Sequence, residues 1–453
     1  MKLITFILLA FGWPQVWAQA AKMNVVFFLV DDLGYGDLGY SGSKHAQTPH
    51  IDDFAQNSTV FRSAYVAAPH CSPSRAAILT GQYPARLHMT TWIPGLQQSN
   101  FKNLQSPEQM DHLPARHNSL GKYFKSKGYA TANVGKWHMG GDIVHPSEHG
   151  FDEVIGYAIG PGPGPAKAWF GPYPKIADLT GPNDEYISER LTKESVDFIQ
   201  RNKEKPFFLM LQHYDVHKPF AAPQKTIDKY LELGRPKKGM ECAVFLAMKE
   251  AMDDSLGKII SALKANDLYD NTIVIFSSDN GGIPGLARNA PFSEGKKSLK
   301  EGGIRVPLIM HVPGLNQGGA GIDVPVSGID FFPTLAELSG GQAQELVDDV
   351  DGISFASLFN GAQSLPRDTL FWHQSRLAKN WVGLYAPQGV VRRGPWKMIH
   401  SYGNTQPDQL YHIKQDPGER RNLAAQFPER VEEMKALLNE HLDEVKAQRV
   451  TVK

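Results

Sequence analysis

The sequence predicts an α/β fold: a large mixed, mostly parallel sheet sandwiched by helices, with a small antiparallel α+β subdomain at the C-terminus. Three observations predict it. Continuous apolar runs such as Asn24–Val30 (NVVFFLV) read as strands buried on both faces, the mark of a parallel sheet. These runs alternate with helical patterns, as crossover connections require. Past about residue 365 the pattern changes to short strands split by Gly, Pro and Asn.

Taken in order, the first strand ends in Asp31-Asp32-Leu33-Gly34. A helix is expected over Ala76 to Leu79, just after Pro73. Residues 118–128 read as a helix and 129–134 as the strand after it. Residues 182–202 are helical in pattern, and Lys205-Pro206 precede a buried strand over 207–212. A long amphipathic helix covers 241–266, followed by a strand at 272–277 (TIVIFS). Residues 304–311 add a strand and 330–338 a helix. Short strands follow at 390–392, 396–400 and 409–413, then an amphipathic helix over 428–446. The expected organisation is a leader (1–20), a catalytic domain (21–365) and a C-terminal α+β subdomain (366–453).

Composition narrows the function. Lys+Arg and Asp+Glu are both 47, so the formal net charge is zero. A nucleic-acid-binding surface needs a clustered basic excess, so no nucleic-acid partner is expected. With 42% hydrophobic and 21% charged residues, wholesale disorder is excluded. Two cysteines, Cys71 and Cys242, allow at most one disulfide. At the N-terminus Lys2 precedes an apolar run, and Ala18-Gln19-Ala20 fits small-x-small cleavage, which reads as a secretory signal peptide. Pro14 interrupts the run, and no second stretch has membrane length, so stable membrane insertion is not expected. The mature protein is expected to be exported, periplasmic or secreted.

Two strands end in side-chain oxygens, Asp31-Asp32 and Asp279-Asn280. The carboxyl ends of strands form the ligand crevice in open α/β sheets. Four such oxygens suit a hard divalent cation, Ca²⁺ or Mg²⁺, although Asp and Asn also start ordinary turns. No His-rich set accompanies them, which argues against a transition metal. The segment HCSPSRAAILTG places Cys71 at a loop-to-helix junction with Arg75 one turn on. By chemistry alone Cys71 is a thiolate nucleophile, part of an anion site, or a buried small hydrophobe.

CSPSRAAILTG resembles the signature of the formylglycine-dependent sulfatases, whose fold is alkaline-phosphatase-like. LVDDLGYGDLGYSG, GKWHMG, YDVHKPF, SSDNGG and GKKSLKEGGIRVPLI resemble further segments of that family, in family order, over residues 24–340. LYHIKQDPGERRNLA resembles its closing subdomain more loosely. The resemblance implies a sulfuric ester hydrolase. Cys71 would be converted to formylglycine by a maturation enzyme before export. Asp31, Asp32, Asp279 and Asn280 would hold Ca²⁺, with the group at Cys71 as a further ligand. Arg75 and Lys136 would orient the formylglycine and the sulfate, and His138 would contact the hydroxyl to be deprotonated. His217 and Lys296 would serve the leaving oxygen. His213 competes with His217, and Lys297 and Lys300 with Lys296; the family's His-x-Pro and Lys-to-Glu301 spacings select His217 and Lys296.

The implied substrate is a sulfated carbohydrate, with Trp92, His145, His149, Trp169 and Arg288 as candidate sugar contacts. Two other readings stay open: a phosphodiesterase or phosphonate monoester hydrolase on the same fold, and an inactive exported carbohydrate-binding protein.

Overall fold

The computed structural model describes residues 22–94, 104–176, 178–315, 318–319, 321–341, 350–376, 378–379 and 384–453. The expected leader lies outside them. The central sheet takes its strands from Asn24–Val30 (β1), Thr59–Phe61 (β2), Ala130–Gly135 (β3), Glu153–Ile155 (β4), Phe207–Gln212 (β5), Thr272–Ser278 (β6), Leu308–His311 (β7) and Gly321–Ile322 (β8). Their order across the sheet is β8-β2-β7-β6-β1-β5-β3-β4. The run from β6 to β4 is parallel, and β7 alone is antiparallel to its neighbours.

β1 is apolar from Val25 to Val30 because its two faces meet two separate cores. Val26, Phe28 and Val30 pack with helices Pro49–Gln56 (α1), Ile187–Arg201 (α4), Gln224–Glu232 (α5) and Ala243–Ala265 (α6). Val25, Phe27 and Leu29 pack with Cys71–Thr80 (α2), Leu120–Ser126 (α3) and Phe331–Leu338 (α7). Alternation along a strand sends neighbours to opposite faces, so a strand sandwiched by helices has no polar side.

Two elements differ from the expectation. α2 begins at Cys71, five residues before the expected start. Pro73 lies inside its first turn, where a missing N–H costs no helical hydrogen bond. The expected strand over 304–311 is shorter. Glu301–Ile304 forms one helical turn, and the strand begins at Leu308, after Pro307. The short strands β2, β4 and β8 carried no sequence signal of their own.

The C-terminal sheet is antiparallel: Thr369–Gln374 (β9), Gln388–Arg393 (β10), Trp396–Ser401 (β11) and Gln409–His412 (β12), in chain order. One face is covered by Pro428–Glu444 (α8) through Met434, Leu438 and Leu442. The other meets Tyr65, Val66, Leu299 and Ile304 through Leu370, Trp372, Val390 and Ile399. Trp372 Nε1 donates to Val66 O at 2.7 Å. Buried Lys397 on β11 pairs with Glu301 and with Glu419, each at 2.9 Å. The second sheet thus braces the segments on either side of Cys71 and of Lys296. Among the described residues, no helix is long and apolar enough to cross a membrane.

Candidate active site

Four adjacent parallel strands, β6, β1, β5 and β3, end at one edge of the sheet. Each is followed by polar residues: Asp279-Asn280, Asp31-Asp32, His213 to His217, and Lys136 to His138. The register explains the convergence. Val30 pairs with Ser278, so Asp31 and Asp279 leave the sheet side by side. Asp31 N donates to Asp215 O at 2.8 Å, and Asp32 N to Asp279 Oδ1 at 3.3 Å. Gly135 has φ 93, and a Cβ there would stand 2.1 Å from Gln212 O; this close approach lets Lys136 turn toward Asp31.

Cys71 is the first helical residue of α2 and is 2% exposed. Its Sγ lies 3.5 Å from Asp31 Oδ1, 4.0 Å from Asp32 Oδ1 and 3.4 Å from Lys296 Nζ. Each carboxylate has a cationic partner. Lys136 Nζ is ion-paired with Asp31 Oδ2. Lys296 Nζ sits 2.7 Å from Asp32 Oδ2. Arg75 Nε donates to Asp279 Oδ2 at 2.8 Å, and its Nη1 to Gln212 Oε1 at 2.7 Å. Arg75 Nη2 is buried without a hydrogen-bond partner.

Asn280 Nδ2 donates to Asp32 Oδ1 at 2.8 Å, while Asn280 Oδ1 is buried and unpartnered. His217 Nε2 lies 3.8 Å from Asp32 Oδ2, and its Nδ1 faces Lys218 O at 2.5 Å. His138 Nε2 faces Ile93 O at 2.6 Å, leaving Nδ1 buried and unpartnered.

These groups form the floor and walls of a cavity of about 280 Å³ lined by Asp32, His70, Cys71, His138, His217 and Lys296, among others. Burial raises the carboxyls of Asp31 and Asp279 above the usual range, the first despite Lys136 and the second with help from Asp31. Burial works against ionised Asp32 too, yet Lys296 holds it well below that range. Asp32 in turn holds Lys296 above its ordinary value, against burial. Burial, then lysines (Lys296 beside His217, Lys136 beside His138), push both histidines well below theirs, so both are neutral imidazoles. Burial and Asp279 push the Cys71 thiol up. That direction disfavours the thiolate form in this place.

The donor set fits a hard cation. Three buried carboxylates meet here, and such oxygens are the ligands that hard divalent cations take. Asn280 Oδ1 is an acceptor with nothing to accept from, which is rare in a buried group. Asp31, Asp32, Cys71 and His217 offer ligand atoms within 4.8 Å of one another. His217 at this point was not anticipated as a neighbour of the metal set.

Other sequence candidates fall elsewhere. His213 is fully buried, with Nε2 2.9 Å from Ser255 Oγ and its ring against Phe28. Trp169 is fully buried beside Tyr186, and His149 is fully buried with Nε2 3.1 Å from Leu113 O. Neither is a sugar contact; both are core residues. His145 caps a 3₁₀ turn. Both cysteines are free thiols, and Cys242 caps α6 in the core, so the one possible disulfide is absent. Sequence reasoning missed Gln212, which holds Arg75; its signal was a polar residue ending an otherwise apolar strand. It also missed His70, whose only signal was adjacency to Cys71.

A family model described as Sulfatase matches residues 23–341. This chain belongs to the sulfatase family. A second model, described as N-sulphoglucosamine sulphohydrolase, C-terminal, matches residues 294–448 of the sulfatase. The N-acetylgalactosamine-6-sulfatase of Mus musculus is 30% identical over 466 residues, covering 92% of this chain and 84% of that protein. The steryl-sulfatase of Homo sapiens is 28% identical, covering 97% and 91%. The crystal structure of Ps i-CgsB in complex with k-i-k-neocarrahexaose superposes with a TM-score of 0.77 at 30% identity, over 93% of each chain. The family's members are sulfuric ester hydrolases, and the fold is the alkaline-phosphatase-like one.

Proposed function

We propose that this sulfatase releases sulfate from a sulfated carbohydrate, using a formylglycine formed at Cys71 and one Ca²⁺ held by Asp31, Asp32, Asp279 and Asn280. The carrying observation is the position of Cys71 Sγ, at the floor of a polar cavity between Asp31 and Lys296. The Cys71 sulfur stands where the formylglycine oxygens of the mature site would be. A bound Ca²⁺ would supply positive charge to the sulfate oxygens. The hydrated aldehyde would offer one hydroxyl to attack sulfur and a second to expel sulfate afterwards.

The residues of this chain divide the remaining work. Arg75, with a free Nη2 and two anchored nitrogens, orients the group at position 71 and the equatorial oxygens. Lys136 holds Asp31 in place. His138 keeps its proton on Nε2 through Ile93 O, so its unprotonated Nδ1 is the base for the hydroxyl. Lys296 stands beside Cys71, placed to serve the leaving oxygen. His217 directs Nε2 to the same side; it becomes a donor when the anionic substrate offsets the surrounding lysines.

The change to the second sheet, which begins at Thr369, supports domain limits at residues 365 and 366. Export through the N-terminal leader and maturation by a formylglycine-generating enzyme complete the proposal. The relative bound to k-i-k-neocarrahexaose supports a polysaccharide or oligosaccharide substrate. The test is ion chromatography of sulfate released from sulfated saccharides, before and after chelation. The expected result is release that stops on chelation and returns with Ca²⁺. Turnover of phosphodiesters or phosphonates without sulfate release would favour the related phosphoester chemistry instead.

A further inference from the structure

One wall of the cavity is not used by sulfate ester cleavage. Trp92, Lys218 and Lys297 line it. Trp92 is half-buried, and the residue after it is clamped twice. Ile93 N donates to Ser72 Oγ at 3.0 Å, and Ile93 O meets His138 Nε2. The indole platform is therefore tied to the helix that carries Cys71. Lys297 Nζ stands 6.0 Å from the centre of the Trp92 ring.

Lys297 has φ 75, a left-handed conformation that a side-chain-bearing residue keeps only where its surroundings impose it. Here Lys297 N donates to Pro69 O at 2.9 Å, and the flanking Lys296 N and Ser298 N donate to Gly282 O and Gly295 O. Gly303 backs the turn: a Cβ there would stand 2.0 Å from Ser298 O. This turn lets two consecutive lysines serve different ends, Lys296 at Asp32 and Lys297 beside Trp92.

Lys218 reaches the cavity from the segment after β5. Burial, then Lys296 and Lys218, lowers the pKa of Lys297, so like charges converge on this wall. Asp32 lines the same cavity, engaged by Lys296 and acting through space on Lys297 as well. His70 lines the same space at 2% exposure, with Gln374 beside its ring.

We propose that Trp92, Lys218 and Lys297 form a subsite for a second negative group on the saccharide, so that the sulfatase prefers a sugar bearing a further sulfate or a carboxylate over a singly sulfated one. The ring stacks on Trp92, the second anion lies between the two ammoniums, and His70 meets a hydroxyl. This rests on the sulfate-ester reading above.

The experiment compares wild type with Lys297→Met, Lys297→Arg and Lys218→Met on four substrates: nitrophenyl sulfate, a monosulfated disaccharide, its disulfated counterpart, and a monosulfated disaccharide containing a uronate. In wild type the doubly charged disaccharides should have the higher kcat/KM. Lys297→Met should lower kcat/KM about tenfold on them, through KM, with under about twofold change on nitrophenyl sulfate. Lys297→Arg should retain most of the preference. A loss confined to the disulfated or to the uronate substrate identifies which anion the subsite takes. Equal losses on all four substrates, or none, would overturn the proposal. Calorimetric binding of the same disaccharides to Cys71→Ala protein, with and without Lys297→Met, separates the two readings. Charge-dependent binding to this variant, together with no sulfate release by wild type from any of the four substrates, would uphold the subsite and sink the hydrolase reading. Binding indifferent to the second charge would sink the subsite alone.

Discussion

Lys296 Nζ lies 3.4 Å from Cys71 Sγ while it is ion-paired with Asp32. One ammonium thus touches both the proposed nucleophile position and a carboxylate of the proposed metal set. Asp32 keeps Lys296 charged, and Lys296 keeps Asp32 ionised, although burial opposes both. The pair explains why a lysine, elsewhere a surface residue, is 8% exposed here.

Lys296→Met should therefore lower kcat on a sulfated sugar by about 100-fold or more, as loss of a leaving-group acid does. Lys296→Arg should recover only part of it, because the guanidinium is larger and does not release its proton. Steady-state kinetics on both variants check this. A Lys296→Met enzyme with near-normal kcat would remove Lys296 from the chemistry.

Asp279→Ala should remove Ca²⁺ and activity together. The substitution deletes a carboxylate at the metal position and leaves Arg75 buried without its ion pair, at a cost of about 3–5 kcal/mol in stability. Elemental analysis of purified wild type and variant, beside thermal melts, checks both effects. Stoichiometric zinc in active wild-type protein would contradict the metal assignment.

His217→Ala should cut turnover of a sulfated sugar far more than that of nitrophenyl sulfate. A sugar alkoxide needs a proton on departure, and a nitrophenolate does not. His213 lies in the core against Ser255 and Phe28. His213→Ala should lower the melting temperature and affect both substrates alike. Equal losses for His217→Ala on both substrates would reassign it to sulfate or metal binding.

His441, beneath Phe371 at a centroid distance of 4.1 Å, is held down to about 3, first by burial and then by Arg86. The unfolded chain takes up this proton near pH 6.5, and the native protein does not until about pH 3. Below 6.5 the unfolded state therefore binds more protons, and this residue subtracts stability as pH falls. The slope is about 1.4 kcal/mol per pH unit. His441→Phe removes the penalty. Relative to wild type the variant should gain about 2 kcal/mol between pH 6.5 and pH 5. Denaturant unfolding at the two pH values measures it, and a pH-independent difference would contradict the argument.

The fold was legible wherever one element carried its own periodicity. β1, β5 and β6 are buried from end to end because both faces are covered, and their apolar runs read directly from residues 25–30, 207–211 and 273–276. β2 and β8 are two or three residues long and exist only through pairing with partners far along the chain, so no local pattern marks them. The placement of Asp31-Asp32 beside Asp279-Asn280 was legible because parallel strands deliver their ends to one edge. The choice of His217 over His213 was not legible from chemistry, since both are histidines after one strand; the family spacing supplied it. Trp169 and His149 suited a sugar site by type, yet burial is a tertiary property, and the chain spends both on its core. Lys297 was passed over as a rival of Lys296, because the turn that separates their side chains cannot be read from KK.

The central claim is that Cys71 is a precursor of chemistry and not a thiol at work. The most direct measurement is the mass of the Cys71 peptide from protein that is releasing sulfate. The account predicts a peptide lighter than the encoded one by a sulfur and two hydrogens, less one oxygen. An unmodified Cys71 peptide throughout a fully active preparation would contradict it.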